Sequence, residues 1–274
     1  MKKILVTGAS GFIGQSLCET LSKSGRLVLG AVRNLNSILI NKNIEYIPVG
    51  DIAFKKNWRD LLVDVDCIIH CAGRAHEMND NKNVDTYQLT NLNGTKYLAE
   101  QAAEAGVKRL VFLSSVKVNG ETTHQNTKQK LSHKDIPNPN DPYAISKLEA
   151  EKILWEISSR AGLEVVVVRL PLVYGKDVKG NLAKLIEIVR TGIPLPLSLV
   201  KNQRSMIGID NLVDLLTRCI DQPEASGKTF LASDGEDLST PELIKLIASS
   251  MGKKANLFPL SISLLKFLGS VFGR

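Results

Sequence analysis

Three glycines follow the first apolar run of the chain. The run Lys3–Val6 is predicted to be a strand, and Gly8, Gly11 and Gly14 come directly after it at intervals of three residues. Such glycines allow a tight turn, a close backbone approach to a pyrophosphate and close packing of a helix on a strand. The helix predicted over 11–24 would present its free N–H groups to the phosphates. We therefore expect a dinucleotide site whose binding residues include Gly8, Gly11, Phe12, Ile13 and Gly14.

Short β-branched runs then alternate with longer amphipathic stretches. Further strands are predicted over 27–32, 45–49, 67–70, 110–114 and 165–170, and further helices over 85–105 and 143–161. This alternation is typical of a parallel sheet with helices on both faces. The expected fold class is therefore α/β, a doubly wound Rossmann sheet. After Gly175 the pattern changes to short mixed elements, so we predict a dinucleotide-binding domain over 1–175 and a smaller α/β substrate lobe over 176–274.

Composition argues against several classes of function. The chain has 274 residues, of which 43% are apolar and 23% charged, as in ordinary globular proteins. Its formal charge of +7 is spread along the chain, whereas nucleic-acid-binding proteins normally concentrate basic residues in a stripe. The four cysteines show no metal-ligand spacing, so we expect reduced thiols, no metal site and a cytoplasmic location. No signal peptide or membrane span is expected, because the apolar run near the N-terminus is short and the stretch 257–272 is interrupted by Pro259 and Lys266.

The residues after the other predicted strands indicate the rest of the cofactor site. An acid at the end of the second strand often binds the adenosine ribose of NAD, but here Val32 is followed by Arg33. An arginine can pair with a 2′-phosphate, so NADP(H) is favoured over NAD(H), with a solvated arginine as the alternative. Asp51 and Ile52 follow the third strand and are expected to meet the adenine. Small residues follow the fourth strand, where the backbone must pass close to the cofactor: Cys71, Ala72 and Gly73.

A phenol and an ammonium lie four residues apart in the helix predicted from Tyr143. Tyr143 and Lys147 therefore share one helix face. A nearby ammonium and the positive charge of oxidised nicotinamide both lower the pKa of a tyrosine towards neutral pH. The phenol can then exchange a proton with a sugar or alcohol hydroxyl while hydride moves to or from the nicotinamide. Ser114 and Ser115 end the fifth strand, where a hydroxyl can hold the same substrate oxygen.

The order of these motifs resembles that of the extended short-chain dehydrogenase/reductase family, which includes nucleotide-sugar epimerases, dehydratases and 4-keto-reductases. The segments that carry the resemblance are TGASGFIG (7–14), NLNGT (91–95), FLSS (112–115), YAISK (143–147), VVRLPLVYG (167–175) and QRSMIGIDNLVD (203–214). The resemblance implies that Ser115, Tyr143 and Lys147 are catalytic and that Lys147 and Tyr143 also contact the cofactor. Further cofactor contacts are implied at Asn91, Leu113, Leu172 and Val173. Because family members commonly continue beyond the equivalent of Arg274, a truncated substrate lobe is expected.

The same resemblance implies a nucleotide-sugar substrate, expected to be UDP-linked, and a homodimer. Arg204 falls where family members contact the substrate pyrophosphate, and Asn181 is expected to face the nucleotide. The residues expected to meet the sugar ring are Arg74, Ala75, His76, Lys117 and Asn119. His70, by contrast, ends a buried strand and is expected to be a core histidine with its polar atoms satisfied.

Three functions fit these motifs. The leading interpretation is an NADPH-dependent reductase of a UDP-4-keto-sugar in surface polysaccharide biosynthesis, favoured by Arg33, Leu172 and the segment SSVKVNGE (114–121). The alternative is a 4-epimerase of UDP-glucose or a UDP-N-acetylhexosamine that keeps a tightly held NAD. An acid near position 32 would have supported the alternative. A non-catalytic dinucleotide sensor is the third, although such proteins usually lose the tyrosine or the lysine. Dehydration is disfavoured, because related dehydratases place an acidic pair where this chain has Val116 and Lys117.

Overall fold

The computed structural model describes residues 2–36, 43–74, 84–120 and 130–265. The chain divides into two compact units. The first contains the described residues up to Pro171 together with Ile209–Ala232, and the second contains Leu172–Gly208 and the described residues from Ser233 onward. Within these described ranges, no helix is both long enough and apolar enough to cross a membrane.

The elements follow one another in the expected alternation. In chain order the strands are β1 (Lys3–Thr7), β2 (Leu27–Val32), β3 (Ile44–Pro48), β4 (Cys67–His70), β5 (Arg109–Ser115), β6 (Glu164–Leu170), β7 (Leu172–Tyr174), β8 (Arg204–Gly208), β9 (Lys228–Leu231) and β10 (Asp237–Leu238). The α-helices are α1 (Phe12–Lys23), α2 (Arg59–Leu62), α3 (Val84–Tyr87), α4 (Gly94–Glu104), α5 (Pro142–Ala161), α6 (Asn181–Thr191), α7 (Ile209–Asp221) and α8 (Thr240–Ser250). A π-helix, Gln88–Asn93, joins α3 to α4, and 3₁₀ turns occupy Val116–Val118 and Pro223–Ala225.

A parallel sheet of seven strands forms the centre of the first unit, in the order β3-β2-β1-β4-β5-β6-β9. Every residue of β5 is buried, and so is Val165–Leu170 of β6. Such continuous burial is typical of parallel strands that are covered by helices on both faces. The sequence-based expectation of an α/β Rossmann sheet is therefore confirmed. Because the strands are parallel, their carboxyl ends meet at one edge, where β1, β4 and β5 deliver the residues of the candidate site.

Helix α5 carries two of the predicted site residues and has strong local signals at both ends. The Asp141 side chain accepts a hydrogen bond from Ala144 N, and Pro142 occupies the first turn. Gly162, in the left-handed conformation with φ 71°, ends the helix. Helix α5 packs against α4 and β5, so its inward face is fixed relative to the sheet.

The single helix predicted over 85–105 is interrupted. Residues 88–93 form a π-helix between α3 and α4. Hydrophobic periodicity does not distinguish one wide turn from its neighbours, so this turn could not be predicted from the pattern. The chain is closely packed directly after this turn, since a Cβ at Gly94 would lie 2.7 Å from the carbonyl oxygen of Ile52.

The second unit contains a three-stranded sheet, β10-β8-β7, and the helices α6 and α8. Its small core includes Val189, Ile244 and Ala248. The predicted boundary after Gly175 differs from this division mainly at residues 209–232, which belong to the first unit. The reason is that β9 pairs with β6 in the large sheet, from Val166 with Lys228 to Arg169 with Leu231. Pairing across so long a separation leaves no local trace in the sequence.

Candidate active site

The glycine loop between β1 and α1 is tightly packed. Gly8 has φ 66°, and a Cβ there would lie 2.8 Å from Ala72 N at the end of β4. A Cβ at Gly14 would lie 2.2 Å from the carbonyl oxygen of Gly8. Because any side chain at these two positions would collide with backbone atoms, the loop can keep this conformation only with glycine.

The start of α1 is suited to a pyrophosphate. Gly11 is its N-cap residue and provides no side-chain cap, so the N–H groups of Phe12, Ile13 and Gly14 have no partner within the helix. Uncapped N–H groups at the positive end of a helix attract phosphate oxygens. The described residues of the loop and of the first turn therefore fit a dinucleotide phosphate group.

The structure brings Ser115, Tyr143 and Lys147 together at the carboxyl edge of the sheet. Ser115 ends β5, and its side chain is hydrogen-bonded to that of Tyr143 in the first turn of α5. Lys147 follows one turn later, is 6% exposed and donates from Nζ to the carbonyl oxygen of Leu113 at 2.8 Å. Its ammonium also lies 4.6 Å from the centre of the Phe112 ring. A hydroxyl, a phenol and an ammonium thus share one small region.

Burial governs the acid–base properties of this group. It raises the pKa of Tyr143 to about 12, although the hydrogen bond with Ser115 opposes the rise. It lowers the pKa of Lys147 to about 8, against the effect of Cys71 and Glu151. Without a ligand, Tyr143 is therefore a neutral phenol at pH 7, able to donate a proton. A positive charge beside it, such as that of an oxidised nicotinamide, would stabilise the phenolate.

Asn91 connects three parts of the site. Its Oδ1 accepts from Arg74 N at 2.8 Å, and its Nδ2 donates to Arg74 O at 3.2 Å and to Ser146 Oγ at 3.0 Å. Ser146 in turn donates to the carbonyl oxygen of Tyr143 at 2.7 Å. The π-helix carries Asn91, in keeping with the frequent occurrence of such turns at functional sites. Gly73 is held close by, since a Cβ there would lie 3.0 Å from Asn91 Oδ1 and 3.2 Å from Lys147 Nζ.

The buried His70 is satisfied on both ring nitrogens, as expected for a core histidine. Thr95 donates its hydroxyl proton to Asn91 O, so its oxygen accepts from Nε2–H of His70 at 3.0 Å. The other nitrogen, Nδ1, then accepts from the Thr7 hydroxyl at 2.6 Å, while Thr7 Oγ1 accepts from Ala72 N. Burial lowers the pKa of His70 to about 3, so the ring is neutral at pH 7. Through Thr7 and Thr95 it links the end of β1 to α4.

A buried ion pair lies behind the site. Arg169 at the end of β6 binds both carboxylate oxygens of Glu151, with Nε to Oε1 at 3.0 Å and Nη2 to Oε2 at 2.6 Å. Ser114 also donates to Glu151. Arg169 Nη1 donates to Asn119 Oδ1 at 2.9 Å, and Asn119 Nδ2 donates to Ser132 O. This network joins α5 to the ends of β5 and β6.

The residues predicted to meet the sugar ring are placed differently from one another. Arg74 is partly buried, and its guanidinium carbon lies 5.9 Å from the centre of the Tyr87 ring. Lys117 forms an ion pair with Asp141. Asn119 is 6% exposed with its amide bonded inside the protein, so its geometry favours a structural role over a substrate contact. Ala75 and His76 lie outside the described residues.

The remaining predicted positions are distributed as follows. Arg33 is exposed after β2, and Asp51 is exposed with its Oδ1 accepting from Ala53 N, while Ile52 is buried. Four residues belong to the second unit: Leu172 and Val173 on β7, Asn181 at the start of α6, and Arg204 at the start of β8. Their roles towards cofactor and substrate stay predictions, as do those of Cys71, Ala72 and Gly73 after β4.

Sequence reasoning missed two neighbours of the central group. Tyr87 is buried, and its ring meets that of Tyr143 edge-on with 6.0 Å between centres. Glu151 continues the four-residue spacing of Tyr143 and Lys147 along α5, and this spacing was the signal that could have revealed it. No comparable signal marked Tyr87, because its approach depends on how α3 packs against α5.

Comparison with known proteins identifies a matching family and several similar relatives. Residues 4–232 match the model of the family described as the NAD dependent epimerase/dehydratase family. A "UDP-glucose 4-epimerase" of Vibrio cholerae is 41% identical over 278 residues, which cover 100% of this chain and 83% of that protein. An "N-acetyl-alpha-D-glucosaminyl-diphospho-ditrans,octacis-undecaprenol 4-epimerase" of Escherichia coli O157:H7 is 26% identical, over 92% of this chain and 73% of that protein.

Among solved structures, that of MoeE5 in complex with UDP-glucose and NAD is similar to this chain. It has a TM-score of 0.81 and 26% identity, and the match covers 94% of this chain and 85% of that one.

The expected preference for NADP(H) over NAD(H) is wrong. The matching family is described as NAD dependent, and MoeE5 contains NAD. The inference relied on Arg33, but this side chain is exposed at a strand end. Water can accept the hydrogen bonds of an exposed guanidinium, so no 2′-phosphate is needed there. The solvated arginine was the better interpretation.

The match of the family model over most of the chain agrees with the seven-stranded sheet, the glycine loop and the grouping of Ser115, Tyr143 and Lys147. The chain therefore belongs to the NAD dependent epimerase/dehydratase family, the extended branch of the short-chain dehydrogenases/reductases.

Proposed function

We propose that the protein is a 4-epimerase of a UDP-linked hexose or N-acetylhexosamine that uses NAD. The observation that carries the proposal is the grouping of Ser115, Tyr143 and Lys147 beside the glycine loop, in a chain 41% identical to a UDP-glucose 4-epimerase. The reductase interpretation relied on Arg33 as the residue that binds the 2′-phosphate of NADP. Because Arg33 is exposed and the family is described as NAD dependent, that support is lost.

The site residues have distinct tasks in this reaction. Bound NAD supplies reversible hydride exchange with C4 of the sugar. Tyr143 takes the proton of the C4 hydroxyl and later returns it, and Ser115 holds the same oxygen by a hydrogen bond. Lys147, one turn along α5, stabilises the phenolate form of Tyr143 by its charge. Asn91 keeps the loop at 73–74 and the first turn of α5 in place.

The test uses UDP-glucose and UDP-N-acetylglucosamine with the purified protein, followed by chromatography of the products. We expect the C4 epimer to form without net accumulation of NADH. Tyr143→Phe is expected to lower kcat by about 10²- to 10⁴-fold, because it removes the group that moves the proton. Tyr97→Phe, on α4, removes the same atom from a partly buried tyrosine outside the site and serves as control.

Two outcomes would contradict the proposal. Stoichiometric consumption of NADPH with a UDP-4-keto-sugar would identify a reductase instead. Full activity of Tyr143→Phe would remove the proposed catalytic role of Tyr143.

We also retain a homodimer and a cytoplasmic location as proposals. Helices α4 and α5 lie side by side on one face of the sheet, and polar side chains of both helices, among them Glu100, Glu104 and Arg160, line a shallow cavity between them. A second copy could pack its own helix pair against this face. Sedimentation equilibrium would reveal the assembly, and a monomer at all concentrations would exclude it.

A further inference from the structure

Lys117 and Asp141 form an ion pair at the edge of the candidate site. Lys117 Nζ lies 2.7 Å from Asp141 Oδ2, and both side chains are largely shielded from water, with 28% and 14% exposure. The other carboxylate oxygen, Oδ1, accepts from Ala144 N at 2.7 Å and so caps α5. The Asp141 carboxylate therefore caps α5 with one oxygen and pairs with Lys117 through the other.

The pair links the two elements that carry the proton-transfer group. Lys117 lies in the turn directly after β5, and its N–H donates to Ser115 Oγ at 3.2 Å. Asp141 lies two residues before Tyr143, at the start of α5. Lys117 is thus bonded through its backbone to Ser115 and through its side chain to the cap of the helix that begins with Tyr143.

Among the described residues, charged and titratable groups near Tyr143 lie on α5, on α3 and in the loop after β4. On its own helix it has Asp141 at the cap and Lys147 one turn on, and on α3 it faces the phenol of Tyr87. Arg74 lies beyond the Tyr87 ring, and the α3 carboxylate Asp85 is exposed. Of these, the Asp141 carboxylate and the Tyr87 phenol act to raise the pKa of Tyr143.

We propose that Lys117 is a positioning residue that acts on Tyr143 through Asp141. Its ammonium offsets the charge of the Asp141 carboxylate and holds that carboxylate over the first turn of α5. This role replaces the sugar contact that the sequence predicted for Lys117. The inference rests on the proposed function, because it concerns the proton that Tyr143 exchanges with the C4 hydroxyl.

Substitutions of the two members of the pair should shift the pKa of Tyr143 in opposite directions. Lys117→Met removes the ammonium that pairs with this carboxylate and should raise the pKa of Tyr143 by about half a unit. Asp141→Ser removes the carboxylate but keeps an oxygen that can cap the helix, and it should lower the same pKa by a similar amount. The double variant lacks both charges and should return close to the original value. Lys117→Arg keeps the charge and should leave the pKa unchanged.

The first readout is the rising limb of kcat against pH. Since the phenolate is the active base, the limb should move to higher pH in Lys117→Met, to lower pH in Asp141→Ser and back in the double variant. A merely structural pair would lower kcat in both single variants without moving the limb. A contact with the sugar would raise KM in Lys117→Met with the limb in place. Either result would overturn the inference.

The second readout does not need turnover. The protein contains five tyrosines, so ¹³Cζ-tyrosine labelling gives five signals, and Tyr143→Phe identifies the relevant one. In the presence of NAD, its titration should show the same three shifts. If the shifts appear but no epimer forms, the proposed function fails and the inference stands. The inference fails alone in either of two cases in which the epimer forms. In one, the pKa of Tyr143 is the same in all the variants; in the other, Tyr143 stays protonated in all of them up to pH 10.5.

Discussion

At the scale of single residues, burial destabilises the charged form of Lys147. It is 6% exposed, and burial lowers its pKa from 10.5 to about 8. At pH 7 the folded protein must therefore keep an ammonium that the unfolded chain would solvate better. A residue needed for proton transfer can be retained in spite of such a cost.

Lys147→Met should therefore stabilise the ligand-free protein while abolishing its activity. We expect the free energy of unfolding at pH 7 to rise by about 2 kcal/mol, somewhat less than the pKa difference implies because the bond to Leu113 O is lost. Because the folded pKa is depressed, the gain should be full below pH 8 and vanish as the pH rises through 10.5. Urea unfolding at pH 7 and at pH 10.5 measures it.

The matched control is Lys152→Met, an exposed lysine on the same helix, which should change stability little at either pH. A Lys147→Met protein that is less stable at pH 7, or equally changed at both pH values, would show that burial of the ammonium is not a cost here.

At the scale of elements, polar side chains on the inward face of α5 bind the helix to the sheet. Tyr143, Lys147 and Glu151 follow one another at intervals of four residues, and Arg169 of β6 binds the last of them with two hydrogen bonds. Both members of this pair are almost fully buried. Removing one charge leaves the other buried without an opposite charge, which is unfavourable.

Arg169→Met should lower the free energy of unfolding by about 3–5 kcal/mol, because it leaves Glu151 buried and unpaired. The double variant Arg169→Met/Glu151→Leu should recover more than half of that loss, since no uncompensated charge remains. Urea denaturation of the three proteins at one pH gives the comparison. Equal losses in the single and double variants would mean that packing, and not charge, makes this contact important.

The elements also show which parts of the structure a sequence can predict. The bounds of β2 and β4 agree with the pattern, because buried apolar runs with clear ends define them. The π-helix 88–93 was not predicted, since one wide turn barely disturbs the periodicity. Strands β7 and β10 have three and two residues, too few for a pattern to appear.

For the site, local spacing was sufficient for some residues only. It indicated the glycine loop and the pairing of Tyr143 with Lys147, which depend on neighbours in the chain. It could not show that Lys117 meets Asp141 or that Asn119 meets Arg169, because these contacts are created by packing between elements far apart in sequence.

At the scale of the whole molecule, cofactor binding should appear as stability. A ligand at 100 times its Kd adds about 2.7 kcal/mol, which for a chain of this size corresponds to a rise in Tm of roughly 5 °C or more. Protein stripped of bound nucleotide should show this rise with NAD and a much smaller one with NADP at the same concentration. Thermal unfolding followed by circular dichroism is sufficient.

Gly14→Ala provides the control for that experiment. Its added Cβ would collide with Gly8 O, so the loop must shift, and the rise in Tm with NAD should disappear. A larger rise with NADP than with NAD would contradict the cofactor assignment.

The return of residues 209–232 to the first unit has a practical consequence for anyone who divides this protein. The chain passes from one unit to the other three times, so no single cut separates them. A fragment that stopped at Pro171 would lack β9 and leave β6, with its four consecutive valines, as a bare sheet edge. It would also lose the C-terminal carbonyls of α7 that Arg109 binds. An unpaired strand edge can form hydrogen bonds with the strands of other chains. We therefore expect the fragment to aggregate rather than to fold as a separate nucleotide-binding domain.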